Sequence, residues 1–434
     1  MWQGSYEFVV NQWGVGHGGF HSQSLFLQPV RRGPTARVGD GTLVRVIYDC
    51  GSGRSGRPRK ALKDAVARML GDVDDKAQID LLVISHFDHD HVNGLAYLAG
   101  ELKKRHIDVA RVWAPVLTKI EALLAIARSG LDGREQADYA AFLGDPRNRL
   151  EELFDRAEVT QIAASDEPIP VATSDAAADD ADEADDGSIY LRNSPGGRGL
   201  VAVPAASAAG EALWEFQPYV IKSTLVGASA VRASVHRLLG KSLEQCSIDD
   251  LLKIASNQNI LQDFHSEVMK HHTKSAKSGV RASSARTSPN LSTLCLYSGP
   301  VSPYEWCQFR RGWAPLSVTP EAIPIAPAWL GTGDAGLSGA KPVNALRSAL
   351  SESRLDRVGV TSVPHHGSDQ DSGAPLWDAL PNVRKITIEA NNLKGGTGNS
   401  HPHATVLAEL ATRNLSVHVS ADAHDFHSRG RRMR

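Results

Sequence analysis

Residues 83–94 read VISHFDHDHVNG. Three His and two Asp fall at positions 86–91, directly behind the apolar run IDLLVIS (79–85). Such a run is a strand of the buried type. A single loop histidine there would be an ordinary solvated residue. Five ionisable groups in six positions are not ordinary loop composition. Neutral imidazole and carboxylate are the side chains that divalent transition metals use. Adjacent residues point apart, so one ion cannot easily take all of them. Two ions can, with His86 and Asp88 on one and Asp90 and His91 on the other. Ions about 3.5–4 Å apart suit hydrolysis, because together they activate water and stabilise a leaving oxygen.

Working outward, the first 115 residues alternate strands and helices. YEFVVNQW (6–13) and SLFLQPV (24–30) read as strands around the Gly-rich turn GVGHGG (14–19). TLVRVIYDCGSG (42–53) is a strand ending at Asp49 and a Gly-Ser-Gly turn. Helical spacing covers 59–71, VNGLAYLAGELKKR (92–105) predicts a helix, and ARVWAP (110–115) a strand. After the middle of the chain the pattern resumes. NLSTLCLYSG (290–299) alternates like a strand, and AIPIAPAWLGTGDAG (322–336) runs into a Thr-Gly-Asp turn. RVGVTSVPHHGS (357–368) is a strand ending in paired His, and VRKITIEA (383–390) another strand. A helix is expected within 401–414, and LSVHVSA (415–421) as a last strand. Both halves are therefore α/β, with two covered sheet faces.

The middle differs. Residues 117–165 look helical and charged, LWEFQPYVI (213–221) returns to strand character, and 229–270 is expected to be helical. The acidic, low-complexity segment 171–187 and the basic segment 270–286 are expected to be loops without fixed structure. The reading divides the chain into a first half-domain (1–116), an insertion (117–288) and a second half-domain (289–434).

The 434 residues are 41% hydrophobic and carry a net charge of −2, so no global basic field marks a nucleic-acid binder. Cys50, Cys246, Cys295 and Cys307 form no Cys-x-x-Cys pair and read as isolated reduced thiols. The N-terminus has no signal-peptide pattern, and no apolar run is long enough to span a membrane. A cytoplasmic protein without membrane contact is the expectation.

Here a family resemblance enters. SHFDHDHVNG resembles the signature of the metallo-β-lactamase fold, whose common form is His-x-His-x-Asp-His, with Asp88 replacing the second His. The variant is similar to that of the ComEC-type hydrolase domain of the competence DNA-uptake protein. Further pieces agree in order. GVGHGG resembles a Val-Gly-Gln-Gly turn, with His17 in place of Gln, and IYDCGSG a strand-Asp-x-Gly step at Asp49. NLSTLCLYSG resembles an Asn-x-x-Ser strand at Asn290, one residue shorter. WLGTGDAG resembles the turn that supplies a bridging carboxylate, Asp334. SVPHHGS resembles a His-His-Gly-Ser element at His365 and His366, and NNLKGGTGNSHPH an Asn…His-Pro loop at Asn391, Asn392 and His401. The resemblance spans 6–115 and 290–420.

The resemblance implies an αββα sandwich interrupted by a long, mainly helical insertion. It implies a dinuclear centre built from His86, Asp88, Asp90, His91, Asp334 and one of His365 and His366. His366 is favoured as the ligand, with His365 turned to substrate. Asp49 would orient a ligand His, and Asp90 could take a proton from the attacking water. His401 would hold the scissile group or protonate its leaving oxygen. Asn290, Asn392 and His17 would stand in the surrounding shell or against substrate. His17, His89, His403, His424 and His427 otherwise read as structural or exposed. Asp88 hardens the site, so zinc is expected first and manganese as the active alternative.

The reaction implied is phosphodiester hydrolysis by a metal-activated hydroxide, with nucleic acid as partner. The basic stretch 270–286 could hold a phosphate backbone. Trp2, Trp13, Trp306 and Trp313 could stack bases, although core packing explains most of them. Two other classes stay open. One is hydrolysis of a small phosphoester, lactone or acyl substrate. The other is a partner-gated subunit that uses the 117–288 insertion as a protein-binding surface.

Overall fold

The computed structural model describes residues 4–29, 43–53, 58–164, 189–194, 199–204, 212–222, 291–301, 306–308, 323–391, 401–421 and 425–432, with isolated positions between 232 and 266. The acidic segment 171–187 and the basic segment 270–286 lie outside them, as do Asn290, Asn392, His424, Trp2 and Trp313.

Two large sheets carry the fold. The first has nine strands, in the order Ile323–Ile325, Trp306–Gln308, Phe426–Arg432, Gly4–Gln12, Phe20–Pro29, Leu43–Cys50, Leu81–Val83, Arg111–Pro115 and Glu158–Ile162. The second has eight: Ser416–Val419, Lys385–Ile388, Val358–Ser362, Ala328–Gly331, Thr293–Pro300, Trp214–Ile221, Leu200–Pro204 and Ile189–Asn193. Each sheet is antiparallel on one side and parallel on the other. The strands 43–50, 81–83, 111–115 and 158–162 run parallel in the first. Strands 328–331, 358–362, 385–388 and 416–419 do so in the second.

Apolar alternation decides what each face does. From the first sheet, Phe8, Val10, Leu25, Val46, Leu81 and Val83 point inward. They meet Leu200, Ala202, Trp214, Phe216, Leu294, Leu296 and Trp329 of the second, in one buried core between the sheets. The outer face of the first sheet is covered by helices 60–71, 95–104, 119–129, 133–144 and 146–153, through Leu62, Leu98, Leu123 and Leu150 among others. Helices 340–350, 374–378 and 404–412 cover the second, through Leu346, Leu376 and Leu410. The result is a four-layer αββα sandwich, the architecture implied by the motif resemblance. Fully burying one such large side chain is worth about 1.5–3 kcal/mol, so three continuous cores hold the layers in register.

The segment 117–288 contributes more than helices. Its strand 158–162 extends the first sheet, and strands 189–193, 200–204 and 214–221 extend the second. The chain also goes on past the strand expected to be last. Residues 426–432 pair antiparallel with 4–12. Their sequence, FHSRGRR, has no apolar alternation to reveal a strand; backbone pairing on the edge of 4–12 defines it. Among the described residues, no helix is long and apolar enough to cross a membrane.

Candidate metal centre

The strand Leu81–Val83 is buried throughout and its chain continues through Ile84 and Ser85 to His86, which is fully buried. It runs parallel to its neighbours, so His86 emerges at the carboxyl edge of the sheet, where α/β folds place their sites. One helical turn, His89–Val92, follows and swings His91 back over the same edge. Asp49, at the end of the adjacent strand, lies in the left-handed region with φ 59°. It ties the loop together: its carboxylate accepts from Ser85 N–H and Ser85 Oγ, both at 2.6 Å, and contacts His91 Nδ1 at 2.9 Å. Ser85 Oγ in turn lies 2.8 Å from His86 Nδ1.

The second sheet supplies the other wall. Strand Ala328–Gly331 ends in Thr332, Gly333 and Asp334. Gly333 has φ +48°, and a Cβ there would stand 2.8 Å from Ser85 Cβ, so glycine lets the two sheet edges close on each other. His365 and His366 also lie in the left-handed region, at φ 48° and 54°, followed by Gly367 at 84°. Two successive non-glycine residues in that region are costly and are kept where a site needs them. Here they aim both imidazoles at Asp334.

Asp334 is the hub. Its Oδ2 lies 3.4 Å from His86 Nε2 and 3.5 Å from His365 Nε2. Its Oδ1 lies 3.5 Å from His91 Nε2 and 3.7 Å from His366 Nε2. Asp90 Oδ2 stands 3.6 Å from both His366 Nε2 and His17 Nε2. Each of the four imidazoles around Asp334 has Nδ1 engaged on its far side: His86 on Ser85, His91 on Asp49, His365 on Asp371 at 2.6 Å, and His366 on the Glu389 carbonyl at 2.8 Å. That leaves every Nε2 facing inward, the orientation that outer partners impose on metal-bound histidine.

The donors fit divalent cations. Ligands 2.0–2.1 Å from a tetrahedral ion stand about 3.3 Å from one another, and the inward atoms are separated by 3.3–3.8 Å. His86 Nε2 is buried and makes no hydrogen bond among the described residues. Two three-residue groups have ligand atoms close enough to hold an ion: His86, His91 and Asp334, and His17, Asp90 and His366.

Electrostatics show how the donors hold each other. Burial opposes charge on Asp334, but His365, His86 and His366 outweigh it and hold the carboxyl well below its usual range. Asp90 is depressed in the same way: burial resists, and His91, His17 and His366 prevail. Burial also resists charge on His91, yet Asp49, Asp334 and Asp90 lift its pKa to about 10. His365, only half-buried, is also resisted by desolvation, but Asp334 and Asp371 raise it to about 9. His366 falls well below its usual value, through burial first and then the neighbouring His17.

The residues singled out in the sequence are brought together with two differences of role. Both His365 and His366 reach Asp334. His17, read mainly as structural or against substrate, sits beside Asp90 with its ring 4.1 Å from that of His366. His401 lies on the rim, its ring 5.3 Å from His365 and 5.9 Å from His17. Asp88 lies 3.8 Å from His86 Nε2, and both of its oxygens accept from Arg128 Nη2, at 2.8 and 2.7 Å. His89 packs edge-on to Tyr139, His403 caps the helix Ala404–Thr412, and His427 is exposed beside Asn11. Asn391 is exposed. Trp13 is buried against Phe20, so it belongs to the core. Sequence reasoning missed Ser85, Arg128, Asp371 and the Glu389 carbonyl. Ser85 and Asp371 adjoin the motifs, but nothing in a helical LLAIARSG announces Arg128.

No protein-family model matches this chain, and no curated protein does. Solved structures do. A metallo-β-lactamase fold protein, YhfI from Bacillus subtilis, matches over 97% of this chain and 100% of its own, with 7% identity and a TM-score of 0.36. A long-form RNase Z from yeast matches 97% of this chain and 41% of its own, at 9% identity and TM-score 0.34. A diphosphatase of the PhnP family matches 98% of both chains, at 9% identity and TM-score 0.33. The αββα assignment rests on this chain's own sheets and cores, and its chemistry on the geometry above.

Proposed function

We propose that this chain is a metal-dependent hydrolase of phosphodiesters, a nuclease, whose centre takes two divalent ions. The observation that carries the reading is the division of Asp334 between two pairs of imidazoles, the arrangement a carboxylate needs to bridge two cations. His86, His365 and Asp334 Oδ2 would hold one ion, with Asp88 at its border. His91, His366, Asp90 and Asp334 Oδ1 would hold the other, with His17 beside Asp90. The mixed imidazole and carboxylate donors suit zinc and tolerate manganese. The His-x-Asp-x-Asp-His order supports kinship with the ComEC-type hydrolases.

Bound ions would supply Lewis-acid polarisation of the phosphoryl group and activation of water at neutral pH. The chain's own residues do the rest. Asp49, Ser85, Asp371 and the Glu389 carbonyl fix four imidazoles so that the donors need not reorganise. Asp90 Oδ2, beside His17 and His366, would be the proton acceptor. His401, on the rim, would hold a proton for the leaving oxygen.

The test is metal content by mass spectrometry, with cleavage of DNA and RNA in manganese, in zinc and in chelator, for wild type and Asp334→Asn. Two ions per chain and chelator-sensitive cleavage are expected, with both lost in the variant. No bound metal after reconstitution, or an Asp334→Asn protein that keeps both ions, overturns the reading. Two ions without nuclease activity redirect it to a small phosphoester or lactone, or to a missing protein partner.

A further inference from the structure

The helix Lys119–Ser129 is buried along most of its length and anchored at both ends. Thr118 and Glu121 form a capping box at its start. The buried Glu121 carboxylate also accepts from Ser292 N–H, at 2.7 Å, which pins the helix to the second sheet's side of the site. Leu123, Leu124 and Ile126 are buried in the outer core, and Gly130, in the left-handed region, ends the helix. What this anchoring delivers is Arg128, on the last turn. Its Nη2 donates to both oxygens of Asp88. Asp88 begins the turn His89–Val92 without using its side chain as a cap, so its carboxylate is committed to this cation. The adjoining backbone is fixed as well, by the Tyr139 hydroxyl on the Phe87 carbonyl.

An ion pair serving stability alone has no need to stand 3.8 Å from a ligand-type nitrogen. This one does, and it is partly open: the Arg128 side chain is 20% exposed and that of Asp88 18%. His365, beside Asp334, is 23% exposed, and His401 is partly exposed. Guanidinium carries its donors in a rigid fork that matches the oxygens of a phosphoryl group, and a partner that fixes one arm sets the direction of the whole plane.

We infer that Arg128 is a substrate contact: locked by Asp88 at the mouth of the centre, its guanidinium receives a non-bridging oxygen of a phosphoryl group. This rests on the hydrolase reading above for its substrate class and names the residue that selects for it. Asp88, in place of the second His of the common motif, is then the anchor that sets the guanidinium's position.

The experiment is calorimetric titration of inorganic phosphate into the metal-loaded full chain, for wild type, Arg128→Ala and Arg128→Lys, with metal content measured on each. In parallel, kcat and KM are measured for bis(p-nitrophenyl) phosphate. Losing a charge-assisted contact should weaken phosphate binding roughly tenfold to a hundredfold in Arg128→Ala, with metal retained. Lysine, a point charge without the fork, should restore only part of it, and KM for the diester should rise more than kcat falls. Should Arg128→Ala not fold, Arg128→Gln, which still hydrogen bonds Asp88, replaces it under the same criteria. Phosphate binding as tight as wild type in a metal-loaded Arg128→Ala or Arg128→Gln protein overturns the inference. Arg128-dependent phosphate binding without hydrolysis sinks the hydrolase reading and leaves the contact standing. Hydrolysis with Arg128-independent binding does the reverse.

Discussion

Metal binding at this centre should be strongly linked to pH, and the structure says by how much. A metal ligand must present a bare Nε2, so any proton on it has to leave. His91, opposite Asp49, Asp334 and Asp90, has a pKa of about 10, and His365, between Asp334 and Asp371, about 9. Asp90 and His366 are shifted down, so Asp90 is ionised and His366 is neutral, its one proton on the Nδ1 that faces the Glu389 carbonyl. Filling the centre between pH 7 and 8.5 therefore expels the protons of two imidazoles. Summed over the two ions, log K should climb by about two per pH unit, a gain of about a hundredfold. The slope should fall toward one above pH 9 and toward zero above pH 10. Competition against a chromophoric chelator of known pH dependence reads the slope. Calorimetry in two buffers of different ionisation enthalpy counts the protons independently. Asp49→Asn removes the carboxylate that does most to charge His91 and should cut the slope to about one. A flat profile above pH 7 in wild type would refute the reasoning, because it would mean both imidazoles are already neutral. The metal-free protein should show the matching stability change. Both groups have raised folded pKa values, so their stabilisation is complete below the unfolded value of about 6.5. It is lost as pH rises through about 9 and 10, which urea midpoints across that window will show.

Other expectations are local. Arg354 and Glu215 form a bidentate pair with both contacts at 2.9 Å and both side chains fully buried. Arg354→Met strands the carboxylate and should cost about 3–5 kcal/mol by urea denaturation, while Glu215→Gln added to it should recover most of the loss. His17→Gln should weaken one of the two ions roughly tenfold and spare the other, as measured by metal retention after desalting against a chelator. His401→Ala should lower kcat without changing metal content, since the imidazole stands on the rim; metal loss in that variant would move it into the ligand set.

What the sequence made legible follows from the range of the interactions involved. The strand 81–83 is a local pattern, and the donors His86, Asp90 and His91 sit within a few residues of its end, so both could be read directly. Asp334 and His365–His366 were readable because each adjoins a glycine that its turn requires, Gly333 and Gly367. The position of His17 beside Asp90 and His366 could not be read locally, because those residues are distant in sequence and the turn between two paired strands carries it there. Arg128 left no trace, because a helix shows its apolar stripe but not what its polar face meets. The strand 426–432 was invisible for a related reason: an edge strand defined by backbone pairing with 4–12 needs no side-chain alternation.

The placement of the donors has a further mechanical consequence. His86, Asp90 and His91 hang from the first sheet, and Asp334, His365 and His366 from the second. The two edges already meet through Leu294 N–H on the Ser85 carbonyl, at 2.7 Å, and Tyr48 Oη–H on the Leu294 carbonyl, at 2.8 Å. An ion shared by both donor sets would join the sheets across the seam that unfolding has to open. It binds the native arrangement and has no equivalent site in an extended chain, so it stabilises by mass action. Free metal at a hundred times its Kd should contribute about 2.7 kcal/mol per ion. Chelation should lower Tm accordingly, and by the same amount whether the probe is Trp329 in the core between the sheets or a label on an outer helix. Asp334→Asn, which removes the shared carboxylate, should abolish the dependence. If metal shifts Tm equally in wild type and Asp334→Asn, the ions are not bound across the seam, and a centre built from both sheets is ruled out.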